Sequence, residues 1–241
     1  MTKSNSYKGV NRILIHDTEL VLGAMLNSKK FPESVVAHLK ALRVEDDEEI
    51  EILNGRGQVA RALFKKSGVE ILSVGSREHI KPVVHLYLSP PKGDDFTSAV
   101  SQATEMGVEK IFFLRTQHNQ YPKAAEPWTR AERISQAAQE QCALAWSTKI
   151  ESDWRVLEKV LKTAENPVFC DESSIVGSDG MKWLGKKPSL EKPVSLFVGP
   201  EGGWSQEELT LLSQWAVGLC LGPNILKVPT AIVAAVTLLR S

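Results

Sequence analysis

No stretch of this chain approaches the roughly 20 consecutive apolar residues of a membrane-spanning helix. The residues after Met1, TKSNSYKG, also lack the apolar run of a secretory signal. A cytoplasmic protein without membrane association is therefore expected. Cysteine is scarce: Cys142, Cys170 and Cys220 lie far apart and form no Cys-x-x-Cys pair. That spacing argues against a zinc site or a disulfide framework, and the three thiols read as core residues. None of the five histidines has metal-ligand spacing, so no metal is expected. An excess of charge of one sign is missing too, because 29 basic residues balance 29 acidic ones. A polycation is excluded, and any phosphate-binding surface must be a local patch. The glycine-rich dinucleotide fingerprint, the phosphate-cradling loop and a Ser-His-Asp arrangement are likewise absent.

What is present is an ordinary globular composition, 42% hydrophobic over 241 residues, enough to bury a good core. Residues 12 to 80 read mostly as β. Short strands are predicted at 12–15 and in VEILSV, with one helix over 34–43. EEIEILN and QVARALF flank Asn54-Gly55, the signature of a two-residue type I′ hairpin. Short strands, one helix and turn residues suggest a small barrel. After a boundary near 76–82 the rhythm changes to apolar strands alternating with helices. The strands are VVHLYLS, KIFFLRT, PVFC, VSLFVG and GLCLG. Helices are predicted over 96–106 (capped by Asp94 or Asp95), 128–145 and 154–164, after the capping box at Ser205, and over TAIVAAVTLL. The polar stretch 171–192 reads as a loop, with room for one helical turn. This pattern implies a parallel sheet covered on both faces.

In such sheets ligands bind beyond the carboxyl ends of the strands, and two ends here are unusual. One is Phe197-Val198-Gly199-Pro200-Glu201-Gly202-Gly203-Trp204; the other runs from Leu221-Gly222-Pro223-Asn224 through Lys227 to Thr230-Ala231. Glycines let a ligand approach the backbone, whose N–H and C=O groups can read an adenine edge. Spacing alone fits two tight strand-to-helix turns equally well.

GPEGGWSQEE followed by LGPNILKVPTA resembles the paired C-terminal motifs of the ribosomal RNA small subunit methyltransferase E family. PPKGDDFTSAVSQATEMGVEKI, AAQEQCA, HLKALRV and NGRG extend the resemblance upstream, over nearly the whole chain. It implies an α/β protein with an N-terminal PUA-like β-barrel over residues 1–78. A SPOUT-class methyltransferase domain over 79–241 follows, with a parallel sheet and a C-terminal trefoil knot. The implied activity is methylation of N3 of a uridine in 16S rRNA by S-adenosylmethionine. The implied partner is ribosomal RNA within the small subunit, and the implied assembly is a homodimer; the apolar helix from Ala231 to Leu239 is the interface candidate, although burial within one subunit explains it equally well. The cofactor pocket maps to Phe197, Gly199, Glu201, Gly203, Leu221, Gly222, Ile225, Leu226, Thr230 and Ala231.

The chain departs from the family pattern where Asn224 and Lys227 replace two arginines and Pro229 a glutamate. It departs again where Asp95 stands for the arginine after Lys-Gly-Asp, and where His118-Asn119 stands for a Ser-Arg pair. The arginine that ends the Glu-Gln helix is lost at Leu144. An RNA-binding protein of this fold without transfer, a relative acting on a different RNA, and a weakened enzyme all fit these departures.

Uridine N3 carries a proton, so transfer needs a base or a cation that stabilises charge on O2 or O4. Lys227 is the candidate cation, or else a solvated loop lysine. Glu140 and Asn224 are the other catalytic candidates; Glu140 and Gln141 either reach the substrate or simply end a helix, and Asn224 either hydrogen-bonds a base edge or caps a turn. Glu201 either faces the cationic cofactor or holds its own loop by accepting backbone N–H bonds. Arg12, Arg56, Arg61, Lys65 and Lys66 form the candidate phosphate-contacting patch, or else a solvated face. Trp204 reads as a core anchor for the capped helix.

Overall fold

The computed structural model describes residues 10–122, 125–171, 181–186, 189 and 191–241. The chain divides into two units, Met1–His79 with Gln139–Ser147, and Ile80–Ala138 with Thr148–Ser241.

In the first unit, apolar residues at alternate strand positions build one face of a five-stranded mixed sheet. Its strands are β1 (Arg12–Leu14), β2 (Met25–Asn27), β3 (Glu49–Leu53), β4 (Gln58–Lys65) and β5 (Gly68–Ser76), in the order β1-β3-β4-β5-β2. β1 runs parallel to β3, and the other pairs are antiparallel. Ile13, Ile50, Ile52, Ala60, Ala62, Val69 and Ile71 form its core. Helix α1 (Glu33–Leu42) adds Val35 and Leu39, and ends at Arg43 in the left-handed conformation, φ 53°.

The β3–β4 connection corrects the expected two-residue turn: it spans 54–57. The Asn54 side chain accepts the Arg56 and Gln58 N–H groups at 2.8 and 3.0 Å. Gly57, at φ 92°, donates to the Ala145 carbonyl. A Cβ at Gly57 would lie 2.6 Å from the Trp146 ring, so side-chain bonding and this close approach override the Asn-Gly preference.

The second unit holds a seven-stranded sheet in the order β10-β12-β9-β11-β6-β7-β8. Its members are β6 (Val84–Leu88), β7 (Lys110–Arg115), β8 (Lys149–Val156), β9 (Pro167–Cys170), β10 (Met181–Leu184), β11 (Val194–Val198) and β12 (Val217–Leu221). All neighbours are parallel except β10 against β12. The central β11 is buried at every residue, as a strand covered on both faces must be. Helices α2 (Gly93–Glu105) and α6 (Val228–Arg240) share one apolar cluster with the sheet, to which Ala131 of α3 (Trp128–Cys142) belongs. Helices α4 (Leu157–Leu161) and α5 (Gln206–Trp215) form the cluster containing Phe197. The chain is thus a mixed α/β protein with a largely parallel sheet.

Several boundaries differ from the sequence expectations. Residues 149–156 form edge strand β8 where a helix was predicted from 154, because Trp154 packs edge-on to Phe113 beneath the Arg115 guanidinium. Helix α3 stops at Cys142, since Ala143 turns to φ 56°. Asp94 and Asp95 lie inside the first turn of α2, whose cap is Lys92 with no side-chain bond. β10 lies within the stretch expected to be loop, recruited by the edge of β12; residues 172–180, 187, 188 and 190 of that stretch fall outside the described ones. Cys142 is exposed rather than core. Of the two expectations for the apolar face of α6, an interface or burial within one subunit, the structure shows burial, against α2 and the sheet through Ile232, Ala235, Val236 and Leu239. Among the described residues no helix is long and apolar enough to cross a membrane.

Candidate active site

Three adjacent parallel strands, β11, β9 and β12, end at Val198, Cys170 and Leu221. Their carboxyl ends open on one edge of the sheet, where a parallel arrangement leaves a crevice. A cavity of about 340 Å³ lies there, within the range of small-molecule sites.

The first wall is the loop after β11. Its chain doubles back so that the Trp204 indole lies on Gly199, where a Cβ would come within 2.9 Å of the ring. Trp204 is 8% exposed, and its Nε1–H donates to the Cys170 carbonyl at 3.1 Å. This ties the loop to the end of β9. Gly203 adopts φ 70° and donates to the Pro200 carbonyl. From the loop after β7, His118 Nδ1–H donates to the carbonyls of Gly202 and Gly203, both at 3.1 Å. Ser205 and Glu208 form the capping box of α5. The second oxygen of Glu208 accepts the Gln117 N–H at 2.9 Å.

The opposite wall is the loop after β12. Gly222 is buried, at φ 119°, and a Cβ there would meet no protein atom within 4 Å. Asn224, Ile225, Leu226 and Lys227 continue the wall, and Val228 and Ala231 of α6 close it. Asp95, Asp171 and Glu201 bring carboxylates to the lining against one lysine. Lys227 Nζ stands 3.4 and 3.5 Å from the Asp95 oxygens. Glu201 accepts the Lys92 N–H at 3.2 Å; it holds the start of α2 rather than its own loop. Burial pushes the Cys170 thiol up to about 12, with Asp171 adding to the rise.

Of the residues expected to hold a cofactor, Gly199, Glu201, Gly203, Leu221, Gly222, Ile225, Leu226 and Ala231 line the cavity, and so do Asn224 and Lys227. Phe197 does not, because it is fully buried and stacked 4.7 Å from Tyr87. Thr230 is exposed and outside the lining. Glu140 belongs to the first unit, 9% exposed, with Oε2 3.4 Å from His38 Nε2. Gln141 is exposed, and its carbonyl accepts a bond from Arg12.

The basic patch is matched by carboxylates. Arg12 pairs with Glu51, Arg56 with Asp17, Arg61 with Glu49 and Lys65 with Asp47. The hydrogen bond to Asp47 raises the Lys65 ammonium above its ordinary value. The Lys66 N–H donates to Asp46.

Sequence reasoning missed Asp95, Cys170 and Asp171 as lining residues, and gave Trp204 only an anchoring role. The carboxyl-end rule applied to PVFCD would have found Cys170 and Asp171. Nothing local marks Asp95.

Residues 78–240 match the family model described as RNA methyltransferase domain. Among relatives, the chain is similar to "Ribosomal RNA small subunit methyltransferase E" of Synechocystis, 26% identical over 80% of this chain and 65% of that one. It is also similar to the protein of the same name in Rickettsia conorii, 24% identical over 83% of each. Among solved structures, the ribosomal RNA small subunit methyltransferase E from Neisseria gonorrhoeae superposes with a TM-score of 0.83. That match has 22% identity and covers 96% of this chain and 97% of the other.

Proposed function

The chain belongs to the RNA methyltransferase family, alongside the ribosomal RNA small subunit methyltransferase E proteins, and from that premise we propose that it transfers the methyl group of S-adenosylmethionine to N3 of a uridine in 16S rRNA. The observation that carries the reading is the cavity at the three strand ends. The Neisseria gonorrhoeae protein of similar fold is bound to S-adenosyl methionine. The residues here suit that group. Gly222 leaves room where any side chain would intrude, and Leu226, Val228 and Ala231 offer an apolar wall to an adenine ring. The carboxylates of Asp171 and Glu201 suit a ligand carrying positive charge.

When bound, S-adenosylmethionine supplies an electrophilic methyl group. The protein's part is alignment and charge. The two glycine-bearing loops present backbone groups, and the tethers from His118, Trp204 and Glu208 keep one of them in place, which raises effective concentration. Lys227 at the cavity edge stabilises negative charge growing on a uracil carbonyl. As a point charge it orients the base less tightly than an arginine fork would.

In this reading the first unit is a PUA-like barrel that contacts RNA, and the loops after β11 and β12 belong to a trefoil knot of SPOUT type. The molecule works as a homodimer in the cytoplasm, on ribosomal RNA of the small subunit. With α6 buried in its own unit, the dimer contact uses other surfaces. A second reading, a relative acting on another RNA or with weakened transfer, is favoured by the carboxylate partners of Arg12, Arg56, Arg61 and Lys65.

Calorimetric titration with S-adenosylmethionine, joined to nucleoside mass spectrometry of rRNA from a deletion strain, tests both. Loss of 3-methyluridine from 16S rRNA supports the first reading. Loss of another methylated nucleoside selects the second, and no cofactor binding overturns both.

A further inference from the structure

Methylation at uridine N3 leaves one proton to be removed, and none of the roles assigned so far accepts it. Asp95 and Lys227 both line the cavity, 132 residues apart in the chain and 3.4 Å apart in space. Asp95 lies in the first turn of α2, and Lys227 is the N-cap of α6. These two helices pack on one another through the apolar cluster that includes Phe96, Val100 and Ile232, so the core sets the spacing of the two backbone positions that carry these side chains. A helix N-terminus favours an anion and disfavours a cation. Asp95 is thus well placed as a carboxylate, and Lys227 gains from having it alongside.

On the reading of this cavity as a uridine-N3 methyltransferase site, we propose that Asp95 is its proton acceptor and works with Lys227 as one pair on the base. An acceptor beside a donor matches the uracil edge, where N3–H adjoins the O4 carbonyl. Lys227 donates to O4, and Asp95 accepts from N3–H. In the reaction the N3–H bond breaks and its proton passes to the Asp95 carboxylate. The N3 electron pair forms the bond to the methyl carbon, and the C–S pair stays on the sulfur of the donor. A carboxylate is a weak base for a resting imide. The N3 proton becomes far more acidic as the N3–C bond forms, so a late transfer suits it. Cytosine presents a bare N3 lone pair to Asp95 and is repelled. Other charged groups near Asp95 include Lys92 at the cap of α2, Asp94 in the same turn, Asp171 and Glu201 in the cavity lining, and Arg130, which bonds to Gly93 O and Thr97 Oγ1.

Asp95→Asn keeps the size of the side chain and removes the base. With small ribosomal subunits from a deletion strain as substrate, single-turnover methylation by this variant is expected to fall about a hundredfold or more. S-adenosylmethionine affinity by calorimetry stays within about twofold, because in this reading the cofactor is held by the loop backbones, the apolar wall and the carboxylates of Asp171 and Glu201, while Asp95 faces the base. The decisive readout is the pH profile. The parent rate reaches a plateau, whereas the variant rate keeps rising with pH, since uridine must ionise before it reacts. Asp95→Glu restores part of the rate. An Asp95→Asn variant within about threefold of the parent, or one sharing its pH profile, overturns the role of Asp95 alone. A parent that binds cofactor but forms no 3-methyluridine overturns the functional reading, and this pair with it.

Discussion

At Gly222 one missing side chain leaves room in the cavity wall. A Cβ there would meet no protein atom within 4 Å, yet the backbone sits at φ 119°. Gly222→Val therefore acts twice: it fills ligand space, and it strains the chain by about 1–3 kcal/mol. The fold should survive with a melting temperature lower by several degrees, while affinity for S-adenosylmethionine drops at least about tenfold, a change worth about 1.4 kcal/mol. Gly203→Val, at φ 70°, should behave alike. Calorimetry on folded variants that match the parent in affinity would remove these loops from the pocket. A second residue-scale expectation concerns thiols. With its pKa pushed up to about 12, Cys170 stays protonated at neutral pH and reacts slowly, because the thiolate is the nucleophile. Cys220 is buried and Cys142 exposed, so one equivalent of a maleimide should react fast in the native protein, at Cys142. Mass mapping that finds Cys170 labelled first would contradict the placement of its thiol.

At the scale of elements, α5 begins where the cavity loop ends, and one carboxylate serves both. Glu208 closes the capping box with Ser205 and also accepts the Gln117 N–H from the loop after β7. Ser205→Ala removes a cap, about 1 kcal/mol and a few degrees of melting temperature in a chain of this length. Glu208→Ala loses the same box and the loop tether, so it should cost more stability and also weaken cofactor binding. Equal losses in thermal denaturation would show that the tether contributes nothing. The capping box was legible because it is local: Ser205 and Glu208 stand three residues apart. So were the buried strands β6, β7 and β11, whose apolar runs outweigh any helical alternative, and the two glycine-bearing strand ends. What could not be read was set by distant neighbours. β8 is a strand because Trp154 packs on Phe113 and under Arg115, although its sequence carries helix-compatible spacing. β10 is a strand because β12 offers it an edge. Phe197 looked like a pocket residue by its position at a strand end, but the pleat turns it toward Tyr87 and the opposite face. Asp95 was noticed only as a cap candidate and as a missing arginine, since its meeting with Lys227 depends on how α2 packs against α6.

For the whole molecule, 29 basic residues balance 29 acidic ones, and four cations of the first unit's candidate patch, Arg12, Arg56, Arg61 and Lys65, each meet a carboxylate. The exposed pairs among them, such as Arg56 with Asp17 and Arg61 with Glu49, contribute little stability, about 0–1 kcal/mol, but they weaken a cation's hold on phosphate. RNA affinity depends on salt through counterion release, with a slope in log affinity against log salt of about −0.7 to −0.9 per phosphate contact. A shallow slope is therefore expected for this protein. Glu49→Gln leaves Arg61 without that partner and should steepen the slope by up to one contact if the first unit binds RNA. Asn224→Arg, at an exposed position on the cavity wall, should do the same from the second unit. Neither change should alter affinity for S-adenosylmethionine, because Glu49 is outside the cavity and the proposed cofactor contacts at Asn224 are made by its backbone. The two variants separate the surfaces: steepening by Glu49→Gln alone assigns RNA contact to the first unit, and by Asn224→Arg alone to the cavity mouth. Parent slopes kept by both variants across a salt series would mean that neither surface meets phosphate, and the RNA path over this molecule would have to be drawn elsewhere.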